Sequence, residues 1–396
     1  MAEIQVPPAE IIDRIAADTI AILDRLIAFD TTSSESNLAL IAHVETYLAG
    51  FGIEARRVAD DHGGKANLIA TIGGAGNGGI VLSGHTDVVP VTDQPWTMPP
   101  FALTRRDGRL YGRGTSDMKS FLALALATVP HLAERRLRRP IHLAFSYDEE
   151  VGCLGVGDLI GELLQQCTPA VAIIGEPTNM KIVDSHKSIH LYEVVVTGVE
   201  AHSSLSHEGV SANMIAVEVM HVLTRIAEAE ERLHRNPRFD PAWSTLTIGV
   251  IQGGTAPNIL ARECRFAFDL RTVPDRDVDT ILAPFWTAVE KARTDLARRA
   301  QGGDISVRRL AAVPALREEE DGEARTLCTM LSGTNAPSTT VSYGAEAGYF
   351  QQAGLSTVIC GPGSIEQAHR PDEYIEISQI EAGARFMARL VAFVRD

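Results

Sequence analysis

Two histidines and a series of carboxylates recur at one kind of place in this chain, just after a short apolar run where a strand would end. The first group is Ser83-Gly84-His85-Thr86-Asp87. Residues two apart in extended chain point the same way. Asp87 can therefore lie beneath His85 and accept its second ring N–H, the usual support of a metal-bound imidazole. The same spacing also suits a plain turn. In Gly112-Arg113-Gly114-Thr115-Ser116-Asp117-Met118-Lys119, two glycines lead to a carboxylate at the start of a Leu/Ala-rich helix. Asp117 there fits an N-cap or a bridge between two cations. Asp148-Glu149-Glu150 follows the apolar run Ile141–Tyr147. Three adjacent acids repel one another, harmlessly in a solvated loop. At the C-terminal end of a strand in an α/β sheet, however, they lie where ligands bind. A cation would relieve the repulsion and let one carboxylate ligate while its neighbour acts as base. Gly175-Glu176-Pro177-Thr178 brings another acid after Ala170–Ile174. Gly361-Pro362-Gly363-Ser364 through Ala368-His369-Arg370-Pro371 brings a second histidine after Thr357–Cys360.

Singly, each group has an ordinary explanation; together they point to a metal centre. Carboxylates with one imidazole per ion suit Zn, Co or Mn better than a thiolate structural site. The set allows two divalent ions sharing one carboxylate, at the roughly 3.5–4 Å separation of two-metal hydrolases. Competing motifs lack their context. Gly74-Ala75-Gly76-Asn77-Gly78-Gly79 matches GxGxxG in letters, but a strand follows it, not a helix. There is no GxSxG elbow and no phosphate-binding loop. The five cysteines, Cys153, Cys167, Cys264, Cys328 and Cys360, are scattered and form no CxxC pair. That inventory predicts a reduced, cytoplasmic protein.

The elements that must position these groups alternate in type. Ile11, Ile15, Ile22 and Leu26 make a helical stripe, and a second helix is predicted over Asn37–Leu48 with Gly50 as its stop. Strands are predicted at Asn67–Ile72, Gly79–Ser83, Ile141–Tyr147 and Ala170–Ile174, with a helix from about Met118. Buried strands between helices predict an α/β domain with a mostly parallel central sheet. From Lys187 the pattern becomes β-α-β-β-α-β. Its strands are at Tyr192–Val196, Thr245–Ile251, Arg265–Arg271 and Ile305–Leu310, and its helices carry Ile215–Ile226 and Val278–Arg299. That order predicts an inserted ferredoxin-like α+β domain. The expected division is 1–186, 187–313 and 314–396, the first and last parts forming one domain. The 396 residues suit two domains. A net charge of −15 disfavours nucleic acid as a partner. No apolar run is long enough to span a membrane, and Met1–Glu10 lacks the pattern of a secretory leader.

These motifs, in this order around such an insert, resemble the M20 family of co-catalytic metallopeptidases and deacylases. The resemblance covers nearly the whole chain. It implies that Asp117 bridges two metals, that His85 and Glu176 complete one site, and that Glu150 and His369 complete the other. It implies that Asp87 orients His85, that Glu149 is the general base, and that the Asp117–Met118 bond is cis. The inserted domain is similar to the family's lid and dimerisation domain. Ala201-His202-Ser203-Ser204 matches a motif whose histidine serves the partner subunit's site. Gly253-Gly254-Thr255-Ala256-Pro257-Asn258 and Asp269-Leu270-Arg271 match substrate-holding positions. Arg271 would take a substrate carboxylate unless Asp269 holds it, and Glu346 lies at a family acid near the pocket that could suit a substrate amine.

Within the family the chain is most similar to members that deacetylate N-acetyl-L-ornithine. The implied protein is a homodimeric, two-zinc amide hydrolase acting on a small N-acyl amino acid. Other N-acyl amino acids, N-succinyl-diaminopimelate or dipeptides are the alternatives within that chemistry. A non-catalytic binding protein on the same scaffold would have lost ligands that are all present. Two departures bear on the substrate. Ser188 follows Lys187 where the deacetylases usually have Gly, and Leu205-Ser206-His207-Glu208 precedes Gly209-Val210-Ser211-Ala212 where they have Pro and Gly-Val-Asn-Ala.

Overall fold

Helix α1 (Ala9–Ile27) opens the chain in a computed structural model that describes residues 7–74, 76–134, 136–299 and 303–395. Residues 1–6, part of the stretch read as lacking a leader, and Ala75 in the Gly74–Gly79 run lie outside the described residues. Ile15, Leu23 and Leu26 of α1 are fully buried. Helix α2 (Leu38–Ala49) follows. Gly50 ends it but keeps a right-handed φ of −59°; the left-handed turn falls on Gly52 at φ 71°. Next come β1 (Ala55–Ala59), β2 (Ala66–Ile72), β3 (Ile80–His85), β4 (Thr104–Arg106), β5 (Arg109–Tyr111), α3 (Lys119–Ala133), β6 (Ile141–Ser146), α4 (Val156–Gln166), β7 (Val171–Pro177) and β8 (Val183–His186). A second run holds β9 (Ile189–Thr197), α5 (Ala212–Leu233), β10 (Thr245–Gly253), β11 (Glu263–Arg271), α6 (Val278–Arg299) and β12 (Asp304–Val313). The chain closes with α7 (Glu323–Ser332), β13 (Thr339–Val341), α8 (Ala347–Gln352), β14 (Ser356–Gly361), β15 (Tyr374–Glu376) and α9 (Ile377–Val394).

Two compact units result, Met1–Ser185 with Glu318–Thr339 and Ala345–Asp396, and His186–Arg317 with Thr340–Gly344. A single uninterrupted insert would leave Thr340–Gly344 with the first unit. This segment joins the second because Ser342 Oγ donates to Asp240 O at 2.6 Å and the Thr340 hydroxyl donates to Arg238 O.

The first unit is built on a sheet of order β1-β2-β6-β3-β7-β14-β8. The ladder β6-β3-β7-β14 is parallel, while β1, β2 and β8 pair antiparallel outside it. Every residue of β3, β6 and β7 is buried, as strands covered on both faces require. Their apolar runs therefore carry no alternation. Helix α3 packs on β2, β3 and β7 and against α1 and α9. It is buried without a break from Lys119 to Val129, so it is the central helix of this unit.

The second unit is an antiparallel sheet, β10-β11-β9-β12, with β-α-β-β-α-β chain order. In β9 the buried Tyr192, Val194 and Val196 alternate with less buried neighbours. They form one core with Phe266 and Phe268 of β11, Val219 and Leu223 of α5, and Phe285 and Val289 of α6. The fold is therefore α/β plus a separate antiparallel α+β unit.

Candidate active site

The four parallel strands end at one edge of the first unit, and the histidines and acids collect there. His85 is the last residue of β3, Glu149 and Glu150 follow β6, Glu176 sits near the end of β7, and His369 is in the loop after β14. The edge is crowded. A Cβ at position 175 would stand 1.9 Å from the Phe121 ring, so Gly175 lets the strand bearing Glu176 lie directly against α3.

His85 is fully buried. Its Nδ1 lies 2.8 Å from the main-chain carbonyl of Asp87. A carbonyl only accepts, so Nδ1 carries a proton and Nε2 is the atom that faces the acids. The Asp87 carboxylate stands farther off, at 3.6 Å from Nδ1. It accepts instead from Ser33 Oγ at 2.7 Å and from the amides of Glu149 and Glu150 at 3.1 and 3.3 Å. The side-chain support expected from Asp87 is thus supplied by its main chain. The physical reason is that β3 stops at His85, and strict alternation does not extend past it.

Asp117 lies between the two histidines. Its Oδ1 is 3.1 Å from His85 Nε2 and its Oδ2 is 3.3 Å from His369 Nε2. The N-cap alternative fails, because α3 starts at Lys119, Met118 holds the cap position, and no side chain caps it. The Asp117–Met118 peptide is cis. His369 Nε2 also lies 3.0 Å from Glu150 Oε2. Glu176 Oε1 is 3.9 Å from His85 Nε2 and is buried without a hydrogen-bond partner. Ligand atoms of His85, Glu149 and Glu176 lie within 4.8 Å of one another, and so do those of His85, Asp117 and Glu150.

The electrostatics are those of a site short of positive charge. Burial, then the Glu150 and Asp117 charges, push Glu149 up to about 8 against the opposing pull of His85. Burial and Asp117 push Glu150 to about 7, and burial with Asp117 and Glu149 raises Glu176 well above its ordinary value. His369 rises to about 10 through its bonds to Asp117 and Glu150. His85 rises although burial opposes it, because Asp117, Glu176 and Asp87 surround it. For Asp117, burial is overcome by the hydrogen bonds from His369 and His85, which hold its carboxyl below the usual range. Protons thus gather where a cation would serve. The donor set is carboxylate and imidazole, and a buried, unpartnered Glu176 oxygen awaits a partner. These residues fit divalent ions.

The other expected residues are placed differently. Glu346 is fully buried. It accepts from Ser83 Oγ and from Ser146 Oγ, the latter at 2.7 Å. It ties β3 to β6 beneath the site, so the expected contact with a substrate amine gives way to a bond between strands. His202, Asn258 and Arg271 lie in the second unit. His202 is exposed, with Nδ1 2.8 Å from Ser204 Oγ, and Ser203 N donates to Asn258 O at 2.9 Å. Those two loops are therefore neighbours. Arg271 Nε donates to Asp269 Oδ2 at 2.8 Å, the pairing that its neighbour allowed. Ser188 Oγ meets Thr272 Oγ1 at 2.7 Å. Sequence patterns do not single out Glu373, whose carboxylate holds the loop that presents Asp117. The one available signal is an acid directly before the short strand Tyr374–Glu376.

Residues 81–392 match the Peptidase family M20/M25/M40. An acetylornithine deacetylase of Myxococcus xanthus is 35% identical over 377 residues, 94% of this chain and 96% of that protein. Another, from Proteus mirabilis, is 36% identical and covers 92% of each. The M20 family metallo-carboxypeptidase Sso-CP2 of Sulfolobus solfataricus superposes with a TM-score of 0.75 at 17% identity, over 95% of this chain and 98% of that one. A dinuclear metal-binding M20 peptidase of Bacillus subtilis gives 0.66 at 14% identity, over 96% and 98%. With its α/β sheet, its separate antiparallel unit and its edge of paired imidazoles and acids, this chain belongs to peptidase family M20/M25/M40, a family of hydrolases.

Proposed function

We propose that the chain is a metal-dependent amide hydrolase that converts N-acetyl-L-ornithine and water into L-ornithine and acetate, a step of arginine biosynthesis. The observation that carries this reading is Asp117 set between His85 and His369, one carboxylate oxygen toward each. The likeness to acetylornithine deacetylases over more than nine-tenths of the chain supports the substrate.

His85 and Glu176 would hold one divalent ion, Glu150 and His369 the other, and Asp117 both. Zinc suits this set, and cobalt or manganese also fits. Bound ions lower the pKa of water and polarise an acyl carbonyl. The remaining work belongs to side chains. Glu149 takes the proton of the attacking water and returns it to the nitrogen as the C–N bond breaks, and the remaining carboxyl proton passes to the released amine, leaving acetate and an ammonium group. Asp87 fixes the backbone on which Glu149 and Glu150 stand. His202 donates to the developing oxyanion. Arg271, whose Nε is taken by Asp269, presents its outer nitrogens to the substrate carboxylate, and Asn258 takes a substrate-holding role from the loop that lies beside His202.

We assign His202 to the partner's site and the working form to a homodimer. An apolar face on the second unit supports this. Met214 and Val217 of α5 and Val250 and Ile251 of the edge strand β10 are exposed, the kind of surface that marks an interface. All five cysteines are free and buried, which suits the reducing cytoplasm. No helix among the described residues is long and apolar enough to cross a membrane. A second reading, hydrolysis of another N-acyl amino acid, draws on Glu346, which Ser83 and Ser146 close off from a substrate amine.

Acetate release from N-acetyl-L-ornithine by metal-loaded protein tests the proposal, beside N-acetylmethionine, N-succinyl-diaminopimelate and a dipeptide, with and without chelator. A preference for acetylornithine that chelation abolishes is expected. Chelator-sensitive turnover of another substrate alone would move the function within the family. Turnover that survives chelation would remove the metal mechanism.

A further inference from the structure

Glu373 lies outside the ligand set, yet its side chain is only 1% exposed and its whole carboxylate is spent on the segment carrying Asp117. Oε2 accepts from Gly114 N at 3.0 Å and Arg113 Nη1 at 2.8 Å. Oε1 accepts from Ser116 N at 2.8 Å and Asp117 N at 3.1 Å. Successive loop amides that converge on one anion form a nest. Gly114 has a left-handed φ of 85°, which turns the loop so that amides on both sides of Thr115 face inward. Here the anion is the protein's own carboxylate.

Arg113 extends the frame to a second residue of the site. Its Nη2 donates to Gln94 Oε1 at 2.6 Å, and Gln94 Nε2 donates to the carbonyl of His369 at 3.1 Å. One connected set of bonds therefore grips Asp117 by its amide and His369 by its carbonyl. These are the residues whose Oδ2 and Nε2 stand 3.3 Å apart. A buried ion pair such as Arg113–Glu373 is weak evidence for added stability. Its bonds fix geometry instead.

We infer that Glu373, acting through Arg113 and Gln94, is a positioning residue that presets Asp117 and His369 for the divalent ions. The inference rests on the metal reading proposed above. It predicts an effect on ion affinity and coordination that is separable from folding.

Metal-free, full-length protein titrated with Zn²⁺ by calorimetry and with Co²⁺ by visible absorption provides the test. Wild type should take up two ions. Glu373→Gln keeps the shape but turns an amide NH₂ toward the loop's own donors. Its Zn²⁺ affinity should fall roughly 10–100-fold, and its Co²⁺ bands should shift at saturating ion while the metal-free protein still melts cooperatively. A Zn²⁺ isotherm and Co²⁺ bands identical to wild type overturn the inference, as does a lowered melting temperature with unchanged bands, which marks a merely structural role. Should Glu373→Gln fail to fold, Gln94→Ala at a part-exposed position decides. It should weaken one of the two ions, and two unaltered affinities overturn the inference. Wild-type protein that takes up no ion overturns the metal reading itself, an outcome distinct from unchanged variants of a protein that binds two.

Discussion

Asp87 accepts the backbone N–H of Glu149 at 3.1 Å, reaching from the end of β3 to the segment after β6. The contact holds Glu149, the proposed base, by its main chain and not by its carboxylate. The same Asp87 side chain takes the Glu150 amide and the Ser33 hydroxyl. Asp87→Ala removes the acceptor of the Glu149 and Glu150 amides and leaves Ser33 Oγ only Val88 O at 3.5 Å, each loss costing about 1–3 kcal/mol. Both melting temperature and kcat should fall, with KM nearly unchanged. Asp87→Asn, which keeps one accepting oxygen, should fall between. An Asp87→Ala variant with wild-type kcat would show that these bonds do not place the base.

Glu149 itself is tested by Glu149→Gln. The proposed ligands His85, Glu176, Asp117, Glu150 and His369 are untouched, so the variant should still bind two ions by metal analysis. Turnover should drop by about 10²–10⁴-fold, the usual worth of a positioned general base. Ion binding with retained turnover would reject the assignment.

The raised carboxylates make ion uptake a proton exchange. In the ion-free site Glu149 titrates near 8 and Glu150 near 7, so both hold protons at values where ordinary carboxylates do not. The folded, ion-free protein then binds more protons than the unfolded chain over that window, and its stability falls as pH rises from the ordinary carboxylate range to about 8. Ions compete with the same protons. Zn²⁺ affinity should weaken as pH drops from about 8 through 7, with protons released on binding. Calorimetry in buffers of different ionisation heat measures the release; affinity that is flat across this range would contradict it.

The metal edge is legible in the sequence because burial erases alternation. The runs before His85, Asp148 and Glu176 are mostly apolar and carry no alternation, broken only by Ser83, His142 and Ser146, so the acid or imidazole that follows each marks the end of a two-faced strand. The position of Asp87 is read correctly but its bonding is not, because alternation says nothing once the strand has stopped. Glu373, and the bonding though not the position of Glu346, escape for another reason. Each acts on hydroxyls or amides of a segment far away in the chain, and neither local spacing nor composition records such a partner. Strands β4, β5 and β15 are three residues long, too short to show a period.

Glu346 separates a strand tie from a substrate contact. Glu346→Gln can keep only one of its two accepting oxygens, and since Ser83 Oγ can turn to Ala144 O at 3.0 Å, the Ser146 hydroxyl is the one that stands to lose its acceptor. Stability should fall by about 1–3 kcal/mol. Any change in KM should be the same for acetylornithine and for acetylmethionine, which has no side-chain amine. A KM that rises for the amine-bearing substrate alone would return Glu346 to the substrate.

The assignment of His202 to the partner's site has a test that needs no structure of the dimer. His202→Ala and Glu149→Ala proteins should each be nearly inactive. If each site combines Glu149 of one chain with His202 of the other, a mixed dimer has one site with both residues and one with neither. Random exchange makes half the dimers mixed, and half the sites in each mixed dimer work. Mixing the two inactive proteins should therefore restore about a quarter of wild-type activity, provided the dimers are two-fold and exchange freely. If His202 serves its own chain, every site in the mixed dimer lacks one residue, and mixing restores nothing. The apolar face predicts what blocks the rescue. Ile251 of β10 is 58% exposed, and a charge there, Ile251→Lys, should leave monomers by light scattering and abolish complementation. Wild-type activity in the Ile251→Lys monomer with His202 and Glu149 both intact would place His202 in its own chain's site.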